Sequence, residues 1–160
     1  MRYLAMETNG IKKAEMEIEN GVLLSYNGES ECVIIPNGVK AIGDNAFENR
    51  SNVKTVRLPN GLKSIGEYAF VDCDFTEIVI PDSVTRIGEG AFADCIHLKD
   101  IAIPNGIKEI SARMFAGCWS LERALLPNGL ENIGEYAFDE CVKLSNLELP
   151  SGIRAIGNGA

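Results

Sequence analysis

Six prolines divide most of this chain into segments of nearly equal length. They lie at positions 36, 59, 81, 104, 127 and 150, so successive prolines are 23 residues apart with one 22-residue exception. The stretch 81–103, PDSVTRIGEGAFADCIHLKDIAI, recurs in edited form along this region. A repeat of this length is typical of solenoids, in which one unit cannot bury its apolar face alone and stacks on its neighbours. We therefore predict five full repeat units of 22–23 residues and a truncated sixth over residues 36–160.

Apolar residues at fixed distances from each proline mark the inward face of every unit. Three columns follow the proline: Val39, Leu62, Val84, Ile107, Leu130 and Ile153; then Ile42, Ile65, Ile87, Ile110, Ile133 and Ile156; then Phe47, Phe70, Phe92, Phe115 and Phe138. Two further columns, two residues apart, precede the next proline, as at Ile101 and Ile103. That spacing predicts a short strand ending at the proline, and the glycine before the Ala-Phe pair predicts a short helical turn. The expected fold class is an α/β repeat solenoid.

Residues 1–35 precede the repeats and have a different pattern. Asn20-Gly21 and Asn27-Gly28 separate three segments with strand-like residues, 16–19, 22–26 and 31–35. Asn-Gly between such segments is a strong hairpin signal, because both residues tolerate positive φ. We interpret residues 1–35 as a capping segment, a short β-meander that covers the open end of the first repeat. Residues 11–16 are a candidate short helix.

Charge and composition argue against several classes of partner. A net charge of −8 and a pI of about 4.7 disfavour nucleic acid and anionic membranes as partners. No apolar run approaches the roughly 18 residues of a spanning helix, so membrane insertion is not expected. The start, MRYLAMETNG, lacks the apolar segment of a signal peptide. This is expected of a cytoplasmic chain or of a piece cut from a longer precursor.

Four of the five cysteines, Cys73, Cys95, Cys118 and Cys141, share one column of the repeat, and Cys32 lies apart. There is no CxxC pair and only one histidine, so a zinc or haem site has no ligand set. Two interpretations of the column stay open. A ladder of buried, reduced thiols is favoured because free cysteine is among the most buried residue types; the alternative is disulfides between neighbouring units.

The sequence has no constellation typical of an enzyme. His97, the single histidine, lies in a variable position beside Leu98, and we interpret it as a solvent-facing loop residue. The glycines recur with the repeat and do not form a phosphate-binding loop. We therefore predict no catalytic residues, no cofactor and no metal site.

Two departures from the repeat predict compensating packing. The second unit is one residue shorter than the others, and there Phe75 replaces the usual leucine. In the fourth unit Ala124 leaves space at an inward strand position, and we hypothesise that the ring of Trp119 fills it.

The outward strand positions are where we expect a ligand to bind. The predicted protein-binding residues are Arg57, Glu77, Val79, Asp100, Ala102, Arg123 and Leu125. Val79, Ala102 and Leu125 belong to one column and should form an exposed apolar stripe at the strand spacing of about 4.8 Å. The charged residues would form its polar rim. The alternative is that these are ordinary sheet-forming residues, since folded surfaces contain many apolar atoms.

The repeat also resembles a known family. The pattern Ile-Gly-x-x-Ala-Phe-x-x-Cys-x-x-Leu-x-x-Ile-x-Ile-Pro, present at 87–104, is similar to the BspA-like, or Treponema pallidum type, leucine-rich repeats. The resemblance covers residues 36–160, and 18–23 are similar to the lead-in segment of that family. The departures are Arg50 in the cysteine column and Ser111 in the glycine column.

The resemblance implies a right-handed curved stack with a parallel β-sheet on one face and short helical turns on the other. It also implies a bacterial surface or secreted protein associated with adhesion. Our leading hypothesis is a non-enzymatic, adhesin-like module that binds a protein or peptide along the sheet face. The alternative is a structural spacer or oligomerising stalk of a longer protein. The chain stops within a unit, at Ala160, and we expect an open end there to allow self-association.

Overall fold

The computed structural model of the chain describes residues 15–160. The candidate helix at 11–16 lies mostly outside these residues, and its last position, Met16, begins a strand instead. The described chain winds as a β-solenoid of about six turns. The parallel solenoid predicted from the repeats is thus confirmed.

Strands of two to five residues form the regular structure of the described chain. They are β1 (Met16–Glu19), β2 (Val22–Tyr26), β3 (Cys32–Ile34), β4 (Ala41–Ile42), β5 (Thr55–Arg57), β6 (Ser64–Ile65), β7 (Arg86–Ile87), β8 (Asp100–Ala102), β9 (Glu109–Ile110), β10 (Arg123–Leu125), β11 (Asn132–Ile133) and β12 (Ala155–Ile156). One face has the order β1-β2-β4-β6-β7 and, after a break, β9-β11-β12. The other face, called the sheet face below, contains the pairs β3-β5 and β8-β10. All pairs except β1-β2 are parallel.

The segments before the first proline do not form the expected meander. The hairpin between β1 and β2 is present, with positive φ at Asn20 and Gly21. However, β2 pairs in parallel with β4, and β3 pairs in parallel with β5. The first repeat leaves an open strand edge on each of its two faces. One strand is needed to pair each edge, and a meander on a single face could not do this.

The turns expected to be helical are not helical, and residues 15–160 contain no helix. Each turn has two residues with positive φ, four positions apart. These pairs are Asn45 and Asn49, Tyr68 and Asp72, Gly90 and Asp94, Arg113 and Gly117, and Tyr136 and Glu140. A residue in the left-handed conformation ends an α-helix, and only three residues lie between the two in each turn, which is less than one helical turn. The asparagines, aspartates and glycines among them are the residue types that tolerate this conformation best, so they were a signal in the sequence.

The backbone of these turns bonds to the next unit of the stack. In the first unit the N–H groups of Asn45, Phe47 and Asn49 donate to the carbonyls of residues 67, 69 and 71, at 2.9, 2.8 and 3.1 Å. The same alternation recurs in the later units. An α-helix would direct these donors to its own preceding turn. The carbonyls of the neighbouring unit compete for these N–H groups and therefore decide the conformation of the turn. The turns thus form a third hydrogen-bonded ladder beside the two strand faces.

Ser111 explains why one face is broken between β7 and β9. In this column a Cβ built on Gly88 or Gly134 would lie 2.6 or 2.5 Å from a backbone nitrogen of the preceding unit. A serine cannot approach that closely, so the two units separate here. The Ser111 hydroxyl donates to the carbonyl of Ile87 at 2.6 Å, where the other units use a backbone N–H. The turn ladder and the β8-β10 pair still join these units.

Six aromatic rings stack along the centre of the core. Tyr26, Phe47, Phe70, Phe92, Phe115 and Phe138 follow one another with ring centroids 5.0–5.7 Å apart. Tyr26 thus occupies the phenylalanine position in the coil that precedes the first proline. Phe75 is fully buried and packs edge-on against Phe70 at 5.9 Å and Phe92 at 6.5 Å, as its compensating role predicted.

The cysteine column forms a ladder of free thiols. The Sγ atoms of Cys73, Cys95, Cys118 and Cys141 donate to phenylalanine carbonyls of the preceding unit at 3.4, 3.2, 3.1 and 3.1 Å. The first three of these cysteines are buried, and all five cysteines of the chain are free. This confirms the interpretation of the column as a ladder of reduced thiols, and not the alternative of disulfides between neighbouring units.

The packing hypothesis for Trp119 is wrong. Its side chain is 52% exposed, and its Nε1 donates to Glu140 Oε2 at 3.2 Å on the surface. Ala124 is buried without help from this ring. The indole is large and amphipathic, and an exposed position leaves its N–H bonded to a solvated carboxylate.

We expect Trp119→Ala to change the free energy of unfolding by only about 0.5 kcal/mol, because the ring fills no part of the core. Urea denaturation followed by circular dichroism measures this, with Trp119→Phe as the control that retains an aromatic ring. A loss of about 3 kcal/mol or more would show that the ring is a core element after all.

Candidate protein-interaction face

The sheet face presents the predicted binding residues to solvent. Along each strand the central residue is buried and its two neighbours are exposed, as in β5, β8 and β10. The alternation follows from the pleat, which directs successive side chains to opposite faces. All seven predicted residues are exposed, namely Arg57, Glu77, Val79, Asp100, Ala102, Arg123 and Leu125.

The strand register brings the apolar stripe together. Leu125 is the register partner of Ala102, and a bridge pairs Glu77 with Asp100, which places Val79 beside Ala102. Val79 is 80% exposed and Leu125 57% exposed. Ile34, 60% exposed, belongs to the same column, but Arg57 separates it from the other three residues. The sheet-face stripe is therefore Val79, Ala102 and Leu125.

Charged groups of both signs border this stripe. Arg123 Nε donates to Asp100 Oδ1 at 3.0 Å, and both side chains are more than half exposed. An exposed pair of this kind contributes at most about 1 kcal/mol to stability, so it orients the rim more than it stabilises the fold. Among residues 15–160, Arg57 and Glu77 form no ion pair. Their charges remain available to a ligand.

A cleft lies at one end of the stripe, and no pattern in the sequence predicts it. Leu125, Leu126, Asn146, Leu149 and Pro150 are among the residues that line it, and its volume is about 460 Å³. It opens because residues 145–149, where a strand was expected, form no backbone hydrogen bond to β10. Leu149 directly precedes Pro150, as Ile103 precedes Pro104, and its column was therefore expected to face inward. Without the strand it is 49% exposed.

The remaining polar groups of this region are arranged as surface residues. His97 Nε2 lies 3.0 Å from Asp74 Oδ1, its side chain is 55% exposed, and Lys54 pairs with the same carboxylate. The expectation that His97 faces solvent is confirmed.

Within residues 15–160, no three His, Cys, Asp or Glu side chains are grouped as metal ligands. The same part of the chain contains no helix with the length and apolar character needed to cross a membrane.

The sequence model described as the BspA type leucine rich repeat region matches residues 17–125 and 63–160, with six copies of the repeat. The chain belongs to the BspA-type leucine-rich repeat family. This confirms the resemblance found in the sequence. The match begins at residue 17, within the segment that we interpreted as a separate cap.

Solved structures of other leucine-rich repeat proteins are similar to this BspA-type chain. A protein from Bacteroides ovatus is 36% identical with a TM-score of 0.69, covering 79% of this chain and 39% of its own. A cell surface protein from Faecalibacterium prausnitzii is 24% identical with a TM-score of 0.72, covering 95% of this chain and 51% of its own. The Treponema pallidum leucine-rich repeat protein is 23% identical with a TM-score of 0.56, covering 78% and 83%. The last two show the fold alone.

The chain thus spans about two fifths of the Bacteroides ovatus protein and about half of the Faecalibacterium prausnitzii protein. No curated protein is similar enough to the chain to count as a match.

Proposed function

We propose that this BspA-type chain is a non-enzymatic module that binds a protein or peptide along its sheet face. The observation on which this rests is the alignment of Val79, Ala102 and Leu125 into one exposed apolar stripe with a charged rim. An apolar patch bordered by polar groups is the usual anatomy of a protein interface.

Two features of the sheet face support a protein ligand over a small molecule. The face is open, and its exposed side chains follow successive units of the stack, which suits an elongated ligand. Small molecules prefer enclosed, mostly apolar pockets that bury most of their surface. The cleft beside Leu125 adds a recess in which one side chain of a ligand could be anchored.

We further propose that binding serves an adhesin-like role. The Faecalibacterium prausnitzii protein of similar fold is a cell surface protein. A spacer role is the competing hypothesis, and it predicts that the outward residues can be changed without effect on binding.

We expect a Val79→Lys, Leu125→Glu double variant to lose a partner that the native chain retains in pull-downs from lysate and from candidate host surfaces. The two changes remove the apolar ends of the stripe and cancel in net charge. A control is Leu24→Lys, Ile156→Glu, because these apolar side chains are also exposed, at 41% and 55%, and lie outside both the sheet face and every other surface proposed to bind a partner.

Circular dichroism must first show that both variants are folded. Loss in the sheet-face variant alone supports the proposal. If both variants retain the same proteins as the native chain, the spacer hypothesis is favoured. It is also favoured if neither the variants nor the native chain retain any protein. Loss in the control alone would place the binding site elsewhere on the surface.

A further inference from the structure

A second exposed apolar stripe lies away from the sheet face, just after the cysteine column. It consists of Ile96, Trp119 and Val142, which are 38%, 52% and 77% exposed and occupy the same position in three successive units. We call it the corner stripe. The backbone N–H of each donates to the carbonyl two residues earlier, at 2.8, 2.9 and 2.8 Å. Because the local geometry repeats, the three side chains leave the backbone in equivalent directions.

Backbone hydrogen bonds hold the three units in contact beside this stripe. The N–H of Asp94 donates to the carbonyl of Ala116 at 2.8 Å, and that of Gly117 donates to the carbonyl of Asp139 at 2.9 Å. The bond from Trp119 Nε1 to Glu140 Oε2, 3.2 Å long, also joins one unit to the next. The three stripe residues therefore lie on directly adjacent units, and the Trp119 ring is held in one orientation by its bond to Glu140.

Uncompensated negative charge lies along one side of the corner stripe. Asp72, Asp94 and Glu140 occupy the column two residues before it, and among residues 15–160 none of them forms an ion pair. Asp94 Oδ1 occupies the space that a Cβ on Gly117 would need, so this carboxylate reaches across the glycine. Burial, and then the charges of Asp72 and Glu140, raise the pKa of Asp94. A cation from outside would relieve this repulsion.

We propose that the corner stripe docks a basic amphipathic helix of a partner protein. Two steps between successive units span about 10 Å at the strand spacing of about 4.8 Å. Helix positions i, i+3 or i+4, and i+7 span about 10.5 Å at 1.5 Å per residue, so three anchors on one helix face match the three stripe residues. Residues on the same face of an extended strand are about 6.8 Å apart, so their spacing does not match the spacing of about 4.8 Å between successive stripe residues.

The charges of such a helix complement the border of the stripe. Lysine or arginine beside its apolar face would lie near Asp94 and Glu140, and a cation could also contact the exposed face of the Trp119 ring. The inference concerns a different surface from the sheet face and does not depend on the function proposed for it.

The single tryptophan of the chain makes the test direct, because Trp119 lies in the proposed interface. The probe is a synthetic helix-forming peptide of about 18 residues, with leucine at helix-period positions and lysine elsewhere. Its twin has glutamate in place of lysine. We expect a saturable blue shift of the Trp119 emission with the lysine peptide and none with the glutamate peptide.

A pair of variants separates docking from general attraction to an acidic protein. Val142→Lys lies in the corner stripe and Leu24→Lys lies outside both stripes, and the native side chains are 77% and 41% exposed. We expect Val142→Lys to weaken binding of the lysine peptide about tenfold, because it removes an apolar contact and adds a like charge. Leu24→Lys should leave the affinity within about twofold of the native value.

Each other outcome overturns the proposal. The absence of an emission shift would show that the stripe does not bind the peptide. Equal weakening by both variants would show non-specific attraction. Weakening by Leu24→Lys alone would assign the peptide to a different surface, and an equal response to the glutamate twin would remove the argument from charge. Circular dichroism of both variants confirms that they are folded before the titration.

Discussion

Replacing Phe92 by alanine is expected to lower the free energy of unfolding by about 3–5 kcal/mol. The ring is fully buried in the middle of the aromatic stack, between Phe70 at 5.6 Å and Phe115 at 5.7 Å. Phe75 also contacts it edge-on at 6.5 Å. The cavity cannot close easily, because the backbone ladders on either side fix the distance between units.

Urea denaturation followed by circular dichroism measures this effect. Phe92→Leu is the control, since it restores most of the lost volume and should recover at least half of the lost stability. A loss below about 1 kcal/mol for Phe92→Ala would mean that the neighbouring rings collapse into the space and that the stack is not a rigid core.

Raising the pH from about 9 towards 12 is expected to destabilise the fold by several kcal/mol. Burial raises the pKa of the Cys73 and Cys141 thiols to about 12, and it also raises the pKa of Cys95 and Cys118. Above its ordinary pKa of 9.0 each thiol loses its proton in the unfolded chain but keeps it in the folded one. The unfolded state then binds fewer protons, so stability falls as pH rises.

The full contribution of the thiols is present below about pH 9 and declines by up to about 1.4 kcal/mol per pH unit for each buried thiol. Denaturation series at several pH values between 8 and 11 measure the slope, because this range extends from below the ordinary thiol pKa of 9.0 to well above it. A Cys95→Ala, Cys118→Ala variant should have a slope smaller by about 2.7 kcal/mol per pH unit.

Cys32→Ser is the matched control for this experiment, because Cys32 is exposed and lies outside the ladder. Its slope should equal that of the native chain. If the double variant also kept the native slope, the alkaline loss would belong to lysine or tyrosine side chains and the cysteine ladder would not be its cause.

The inward columns and outward strand positions could be predicted because a stacked repeat places equivalent residues in equivalent environments. Ile42, Phe92 and Ile101 are buried as their columns predicted, and Val79 and Leu125 are exposed as their alternation predicted. The position of a residue within its repeat can be determined from the sequence without knowledge of the contacts between units. For the same reason, the family could be recognised from the pattern at 87–104.

The candidate surfaces were predictable only in part. The sheet-face stripe follows from strand alternation, but Trp119 was assigned to the core because Ala124 was expected to leave space that its ring would fill. The corner stripe has the same repeat period, at Ile96, Trp119 and Val142. Its exposure could not be inferred, because neither strand nor helix periodicity applies at a turn of irregular backbone.

The sequence by itself determined the repeat length, the cysteine column and the inward side chains of the stacked units, because stacking places residues of equal spacing in equivalent environments. Only the tertiary structure decided how the backbone groups are paired. Asn45 and Asn49 adopt positive φ because their N–H groups meet carbonyls of the next unit. One face opens at Ser111 because a Cβ in this column would come too close to the backbone of the preceding unit. Tyr26 joins the stack because β2 pairs with β4. Each outcome depends on a neighbouring unit about 20 or more residues away, which local propensity does not report.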